Sequence, residues 1–249
     1  MHLKLIGAMG IAIGLIGCGG DSGKIEQYTE QSHPNGAPKK VVYYQGSKQN
    51  VVRTSFLFDD GKIQSDQFFK AGKPDSIFVI NYRSGAKLKE SHYSNGKLNG
   101  PDISWYENGN IQSEANYVDS LPEGKFTTYY ENGTKSSEVT YKGGKKDGQD
   151  ITYYPSGNKK HLKTYVNGDA EGVEQEWYDN QKLKSETNWK KNVLDGPYTT
   201  YFKNGKKEEE GMYKDGKYEG KRTMYNEKGR KISEAKFVNG ELVEGTSFQ

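Results

Sequence analysis

The sequence predicts an all-β protein, an elongated single-layer antiparallel sheet in which β-hairpins follow one another as a meander. Two observations lead to this prediction. Glycines and aromatic residues recur at one fixed interval, as Gly109, Gly133 and Gly157 do, and an unchanging interval of this kind is the signature of a repeat architecture. Asn-Gly and Asp-Gly pairs separate short alternating segments, and such pairs favour the tight turns of hairpins. About eight repeats fit between residues 58 and 245.

Three sets of positions define the 24-residue period. Turn glycines form the first set, which only Gln181 interrupts: Gly61, Gly85, Gly109, Gly133, Gly157, Gly205, Gly229. Every member of the second set is aromatic: Phe69, Tyr93, Tyr117, Tyr141, Tyr165, Trp189, Tyr213, Phe237. The third set is glycine throughout: Gly100, Gly124, Gly148, Gly172, Gly196, Gly220. Two strands and two turns fill one such period, whereas a helix and a strand would leave no room for their loops.

Composition indicates a thin structure without a thick central core. Only 32% of the 249 residues are hydrophobic, but the chain has 19 tyrosines, and aromatic side chains bury a large area each. The 36 basic and 33 acidic residues are interspersed and leave a net charge of +3. This balance gives no electrostatic footprint for nucleic acid, so we expect no nucleic-acid partner.

The chain begins with a segment typical of a signal peptide, residues 1–17. One positive charge, Lys4, precedes an apolar, glycine-rich run that extends from Leu5 to Gly17. This run is too short to span a bilayer, which takes about 20 residues, but it suits the hydrophobic region of a signal peptide. The segment is followed by Cys18, the only cysteine, so no intramolecular disulfide can form.

The end of this segment, Leu15-Ile16-Gly17-Cys18, resembles the lipobox of bacterial lipoproteins. The resemblance implies that the Cys18 thiol is diacylglycerylated, that residues 1–17 are removed and that the new amino terminus is acylated, which gives the several acyl chains that stable anchoring needs. The alternative is a secretory signal or a buried N-terminal helix with an incidental cysteine. We expect residues 18–23 to form a flexible tether. In the lipoproteins that the chain resembles, an Asp directly after the cysteine favours retention in the inner membrane; Gly19 occupies that position here, so the resemblance implies the outer membrane in a Gram-negative organism.

After the tether, we expect a degenerate N-terminal capping repeat over residues 24–57 and the regular repeat array over residues 58–249, because terminal repeats are usually atypical. Each regular unit contains an aromatic pair, a turn, a strand that carries a glutamate, and a second turn.

The length of the first turn decides which residues pair across the hairpin. If the turn at Asn132-Gly133 has two residues, Tyr130 lies opposite Lys135 and Phe126 opposite Val139. If the turn contains a glycine bulge, the partners shift by one.

The repeat pattern resembles the bacterial variant of the MORN repeat. The resemblance rests on an aromatic-aromatic-x-Asn-Gly segment followed by Glu, Tyr and Asn-Gly-x-x-x-Gly, and it covers residues 58–245. It implies an elongated single-layer antiparallel sheet. Some bacterial members of this family are labelled antitoxins.

The chain contains no motif that predicts catalysis, so we expect no enzymatic activity, no cofactor and no metal. Its histidines have no cysteine or second histidine at metal-ligand spacing. The segment 211–217 resembles a phosphate-binding loop, but Tyr218 stands where that motif requires Ser or Thr. A glutamate that recurs once per unit fits a ladder with lysines of neighbouring strands better than the paired carboxyls of a glycosidase.

The aromatic set allows two interpretations. The rings pack on one another along the sheet and replace a core, or some of them form an exposed platform for a partner.

Together these features predict a lipid-anchored cell-envelope protein that serves as a non-catalytic protein-interaction scaffold. One alternative is an antitoxin-like or immunity protein that binds a toxin. The other is a glycan-binding or hydrolytic envelope protein. The expected partners are therefore the membrane, through the lipid anchor, and an unidentified protein or a glycan.

Overall fold

The computed structural model describes residues 23–248, which contain 23 β-strands and no helix. Consecutive strands pair antiparallel, so the predicted all-β meander of hairpins is confirmed. Residues 23–248 thus include no helix that could span a membrane. The predicted signal segment, Cys18 and the tether up to residue 22 lie outside the described residues.

The described residues fall into two compact units, 23–121 and 122–248. The strands of the first unit are β1 (Ile25–Ser32), β2 (Pro38–Gln45), β3 (Val51–Leu57), β4 (Ile63–Lys70), β5 (Lys73–Asn81), β6 (Lys87–Ser94), β7 (Lys97–Trp105) and β8 (Ile111–Val118). The chain passes from one unit to the other in β9 (Leu121–Pro122). The strands of the second unit are β10 (Gly124–Tyr129), β11 (Lys135–Lys142), β12 (Lys145–Tyr153), β13 (Lys159–Val166), β14 (Asp169–Ala170), β15 (Gly172–Trp177), β16 (Leu183–Lys190), β17 (Val193–Leu194), β18 (Gly196–Tyr201), β19 (Lys207–Lys214), β20 (Lys217–Tyr218), β21 (Gly220–Tyr225), β22 (Lys231–Val238) and β23 (Glu241–Ser247).

The first turn of each repeat is a three-residue loop, which ends on glycine everywhere except at Gln181. Between β10 and β11, the Tyr130 amide donates to the Thr134 carbonyl at 2.8 Å, and the Gly133 amide donates to the Tyr130 carbonyl at 2.8 Å. Gly133 has φ +83°, which is the bulge conformation that such loops use. The other turn glycines have φ between +83° and +96°: Gly61, Gly85, Gly109, Gly157, Gly205, Gly229.

This loop corrects one predicted pairing. Tyr129, not Tyr130, lies opposite Lys135, because the loop has three residues instead of two. Phe126 lies opposite Val139 as predicted. Between these two pairs, β11 has one extra residue, Ser136, which forms a second bulge. This residue offsets the shift that the three-residue loop causes, so the pairing beyond it agrees with the prediction.

The second bulge changes which side chains share a face. In a regular strand, residues three apart point to opposite faces. The extra residue places Lys135 on the same face as Glu138, and Lys135 Nζ lies 2.7 Å from Glu138 Oε2. The same pair recurs in other repeats: Lys87–Glu90, Lys207–Glu210, Lys231–Glu234.

The second turn of each repeat has two residues, both with positive φ. Between β13 and β14, Asn167 has φ +53° and Gly168 has φ +97°, which is the hairpin turn that Asn-Gly favours. The Gly168 amide donates to the Lys146 carbonyl at 2.8 Å. Because Lys146 belongs to the strand that follows the preceding two-residue turn, this bond joins successive repeats. In a repeat that lacks Asn-Gly, Lys191 and Asn192 adopt the same conformation, with φ +49° and +66°.

Few side chains are fully buried, and most of those lie near the centres of strands. The buried hydrophobic residues are Val41, Val42, Ala115, Ile151, Ala170 and Tyr198. Buried polar residues accompany them: Ser55, Ser91, Asp102, Thr127 and Thr223. The interior is therefore made mainly of small and β-branched side chains, which suits a sheet that lacks a thick core.

Gln181 is expected to be a point of strain, because it has φ +65° at a position where most repeats have glycine. Gln181→Gly should raise the free energy of unfolding by about 0.5–1 kcal/mol, since relief of the left-handed conformation outweighs the added freedom of the unfolded chain. Denaturant titration measures the change. The matched variant Gly157→Ala should lower stability by about 1 kcal/mol through its backbone alone, because an added Cβ there meets nothing within 4 Å. A loss of stability in Gln181→Gly would contradict this account.

Candidate interaction surfaces

Within each unit, the predicted aromatic set lies on one face of the sheet, which we call the aromatic face, and all eight side chains are half-buried. Tyr141 of β11 lies opposite Gly124 of β10. Gly124 has φ +77°, a conformation that glycine adopts without the strain that other residues have there. The second and third periodic sets therefore form one structural motif, and it recurs in these pairs: Tyr117–Gly100, Tyr165–Gly148, Trp189–Gly172, Tyr213–Gly196, Phe237–Gly220.

The aromatic face carries a ring cluster near its C-terminal repeats. The centroid of the Tyr213 ring lies 4.7 Å from that of Tyr218, with an angle of 25° between the planes. Tyr198 lies 4.8 Å from Tyr213, and Phe237 lies 5.3 Å from Tyr218. Such distances are typical of stabilising ring pairs. Here the rings pack mainly on each other, as the packing interpretation of the aromatic set predicts.

Tyr198 is the most buried ring of this cluster, with 4% of its surface exposed, and its hydroxyl donates to Glu209. Glu209 also accepts two hydrogen bonds from the Arg222 guanidinium, at 2.7 and 2.9 Å. Burial raises the pKa of the Tyr198 phenol, and the Glu209 carboxylate raises it further. Burial alone would raise the pKa of Glu209, but the hydrogen bonds from Arg222 and Tyr198 hold it below its usual value.

A second polar network on this face surrounds Glu174. Its carboxylate lies 2.6 Å from His161 Nε2, and it accepts a 2.6 Å bond from the Trp189 indole N–H. The Lys163 ammonium lies 3.5 Å from the centroid of the Trp189 ring and 3.6 Å from the carboxylate. Burial would raise the pKa of Glu174, but the bonds to His161 and Trp189 lower it overall. The network holds Trp189 in place on the aromatic face.

The opposite face, which we call the glutamate face, carries the recurring strand glutamates. Glu138 lies between Lys125 at 2.8 Å and Lys135 at 2.7 Å, and only 14% of its side chain is exposed. Hydrogen bonds from these two lysines lower the pKa of Glu138. One of the two lysines lies across the sheet and the other lies on the same strand. The sequence could not show the second partner, because its direction depends on the Ser136 bulge.

Sequence reasoning missed two groups that join successive repeats. The first is the second residue of the aromatic pair. The Tyr130 hydroxyl donates to the Tyr153 carbonyl, 23 residues later, at 2.7 Å. The same bond is made by Tyr154 and Tyr178, and also by Tyr82, which follows Asn81 instead of an aromatic residue. The recurrence of this tyrosine was visible in the sequence, but its bond to the next repeat was not.

The second group consists of acidic residues that cap the two-residue turns. The Glu171 carboxylate accepts the amide of Lys191, 20 residues later, at 3.0 Å. This bond satisfies an amide that the turn leaves without a backbone partner in its own hairpin. The other capping carboxylates are Asp75, Glu123, Asp195 and Glu219. Their periodic recurrence from Glu123 onward was the signal that could have identified them.

Of the predicted site residues, the aromatic set thus lies on one face of the sheet in each unit, and the turn glycines lie in the three-residue loops. Among residues 23–248, no group of three or more His, Cys, Asp or Glu side chains is arranged to hold a metal ion. The expectation that the chain binds no metal and no cofactor stays a prediction. Cys18 lies outside the described residues, so its predicted lipidation stays a prediction.

Comparison with known proteins identifies the repeat. Four segments match the family model described as MORN repeat variant: residues 98–119, 122–142, 170–191 and 194–215. No curated protein matches the chain. Two of these segments contain or adjoin turns without glycine, at Asp119-Ser120 and Lys191-Asn192, so the repeat tolerates that substitution.

The solved structures that show similarity to the chain are much longer than it is. The crystal structure of TcdB2-TccC3-Cdc42 shows 12% identity and a TM-score of 0.18, and the match covers 86% of this chain and 17% of that chain. The structure of the Photorhabdus luminescens Tc holotoxin pore with the mutation TccC3-D651A shows 11% identity and a TM-score of 0.17, and the match covers 85% of this chain and 17% of that chain. This chain therefore spans less than a fifth of the length of either one.

Proposed function

We propose that this chain, which contains four repeats of the MORN variant, is a lipid-anchored, non-catalytic binding scaffold of the cell envelope. The observation that carries the proposal is the repeated use of polar side chains as structural links. The strand carboxylates are held by lysines and arginine, and tyrosine hydroxyls bond to the backbone of the next repeat. Groups engaged in this way fix the surface of the sheet, and a fixed surface loses little entropy when it binds a partner.

The anchoring part of the proposal rests on the N-terminal sequence. Cys18 is the only cysteine and follows directly after an apolar run preceded by Lys4. Acylation at Cys18 would hold the repeat array at a membrane surface through more than one acyl chain. In a Gram-negative organism, Gly19 after the cysteine favours the outer membrane.

Mass spectrometry of the membrane fraction tests the anchor. We expect a mature chain that begins at residue 18 and carries the mass of the added acyl groups. The variant Cys18→Ala should accumulate as an unprocessed chain, because it lacks the thiol that is modified. As a control, Ser22→Ala should be processed normally. An unlipidated wild-type chain with residues 1–17 intact would contradict the proposal.

Chemical crosslinking of intact membranes, followed by capture of the chain, tests the scaffold function. We expect a protein partner in near-equal amount to the chain. A toxin as that partner would specify an immunity role. Failure to recover any partner, or turnover of an envelope glycan by the purified chain, would contradict the scaffold proposal.

A further inference from the structure

The two edges of the sheet in the second unit differ in net charge, although basic and acidic residues are interspersed along the sequence. The last four of the five three-residue loops of the second unit, each taken with the three residues that follow it, lie along one edge of its sheet. We call this the basic loop edge, and its segments are residues 155–160, 179–184, 203–208 and 227–232. It contains ten lysine or arginine residues and three acidic residues, a net charge of +7. The whole chain has a net charge of +3.

The opposite edge of the same repeats has no such excess. Its four two-residue turns, each taken with one residue before it and three after it, are residues 166–171, 190–195, 214–219 and 238–243. They contain four basic and six acidic residues, a net charge of −2. The excess positive charge therefore lies at one edge of the sheet, and along the chain the basic loops alternate with the acidic turns of the other edge.

Most of the cations on the basic loop edge are not neutralised by nearby carboxylates. Lys184, Lys207 and Lys231 form ion pairs with strand glutamates. The other seven are exposed and have no ion pair to an acidic side chain within residues 23–248: Lys159, Lys160, Lys182, Lys203, Lys206, Lys228, Arg230.

Three of these cations form a regular row, because Lys182, Lys206 and Arg230 recur with the period of the repeat. Lys182 Nζ donates to the Asn204 carbonyl at 2.7 Å, and Lys206 Nζ donates to the Lys228 carbonyl at 2.9 Å. These bonds fix two ammonium groups and leave their other protons available to a partner. Two strands separate successive members, which corresponds to about 10 Å along the edge.

The remaining side chains of the edge indicate what kind of polyanion it fits. The four segments contain no aromatic residue, and the rings that directly precede three of them, Tyr154, Tyr178 and Phe202, are half-buried, so the edge lacks the exposed rings on which a nucleic-acid base or a sugar stacks. Large exposed hydrophobic residues in the second unit occur mainly elsewhere, for example Val166, Val193 and Leu242, whereas a membrane-binding surface combines cations with inserted apolar side chains. Lysines outnumber arginine nine to one, and lysine acts as a point charge that suits scattered carboxylates.

We propose that the basic loop edge binds an extended acidic segment of a protein partner. An extended chain rises about 3.3 Å per residue, so carboxylates at every third residue repeat at about 10 Å and match the row of Lys182, Lys206 and Arg230. This inference deepens the scaffold function proposed above and rests on it.

Fluorescence anisotropy with a labelled peptide of six Glu-Gly-Ser repeats tests the inference on the full chain in detergent. The triple variant Lys182→Glu, Lys206→Glu, Arg230→Glu should weaken binding about ten-fold or more. The matched triple variant Lys190→Glu, Lys214→Glu, Lys217→Glu changes net charge equally on the opposite edge and should weaken binding less than about two-fold. Binding by the wild-type chain should fall as salt is added.

The variant Lys182→Gln, Lys206→Gln, Arg230→Gln retains hydrogen-bond donors and guards against misfolding of the glutamate variant. We expect an intermediate loss of binding with an unchanged far-UV circular dichroism spectrum. Equal weakening by the two glutamate triples would overturn the inference, as would tighter binding to phosphatidylglycerol vesicles or to oligothymidine than to the peptide. A partner that remains crosslinked to the loop-edge variant in membranes would refute the acidic-segment inference and leave the scaffold function standing.

Discussion

Removing the ring of Tyr198 is expected to lower the free energy of unfolding by about 3–5 kcal/mol, the range for truncation of a buried aromatic residue. The ring is only 4% exposed and lies 4.8 Å from the Tyr213 ring. Urea titration of Tyr198→Ala measures the effect. Tyr165→Ala is the matched control, because its ring belongs to the half-buried aromatic set and should cost less. Equal losses in the two variants would show that Tyr198 has no special role in packing.

The same site predicts a specific coupling with Gly211, which lies opposite Tyr198. A Cβ added to Gly211 would lie 2.7 Å from Cε1 of the Tyr198 ring, and the hydroxyl bond to Glu209 prevents the ring from moving away. Gly211→Ala should therefore cost about 1–3 kcal/mol, as overpacking does.

A double-mutant cycle tests this explanation. In the Tyr198→Ala background, Gly211→Ala should cost almost nothing, because the clashing ring is absent. Alanine already occupies the equivalent position in other repeats, as Ala115 and Ala235. A full cost of Gly211→Ala in both backgrounds would assign the effect to the backbone instead of the ring.

Glu209→Ala is the second large expected effect. The substitution removes the acceptor for both the Arg222 guanidinium and the Tyr198 hydroxyl. Breaking a buried ion pair costs about 3–5 kcal/mol. Because 16% of the Glu209 side chain and 29% of Arg222 remain exposed, solvent reduces this to about 2–3 kcal/mol. The exposed neighbour Glu208, whose bond to Thr200 is 3.4 Å, is the control and should change stability by less than about 0.5 kcal/mol when replaced by alanine.

The Glu209 contribution should also depend on pH. The folded protein holds the pKa of Glu209 below its value in the unfolded chain. The carboxylate therefore stabilises the fold above the unfolded pKa of about 4.3, and this stabilisation is lost as pH falls through the lower folded value. The difference in unfolding free energy between wild type and Glu209→Gln should be largest near neutral pH and shrink in acid. A difference that stays constant from neutral pH into acid would mean that ionisation of Glu209 is not involved.

The repeat architecture could be predicted from the sequence, but the geometry of the turns could not. Periodic glycines and aromatic residues sufficed to predict an antiparallel meander, because only hairpins fit the interval. The Asn132-Gly133 pair is compatible with both two-residue and three-residue loops, and nothing distinguishes Ser136 as a bulge. The register near each loop therefore required the structure, and so did the Lys135–Glu138 contact.

The side-chain contacts and the basic loop edge could be predicted even less from the sequence, because they depend on how strands and loops of different repeats are placed side by side. The coupling of Tyr198 with Gly211 appears only when β18 and β19 are paired in register. Basic residues of loops in successive repeats form one edge only when the loops are stacked. The net charge of the linear chain averages the basic loop edge with the acidic turns opposite, so the composition alone does not reveal this separation of charge.

Site-specific photo-crosslinking in intact cells tests the scaffold claim most directly. A photoreactive amino acid is introduced in place of Lys203 on the basic loop edge or Lys214 on the opposite edge, in otherwise wild-type, membrane-attached chains. We predict that one protein partner with an acidic segment crosslinks from Lys203 and that much less crosslinks from Lys214. Absence of any crosslinked protein from either position, in chains shown to be lipidated at Cys18, would contradict the claim that the repeat sheet is a binding scaffold.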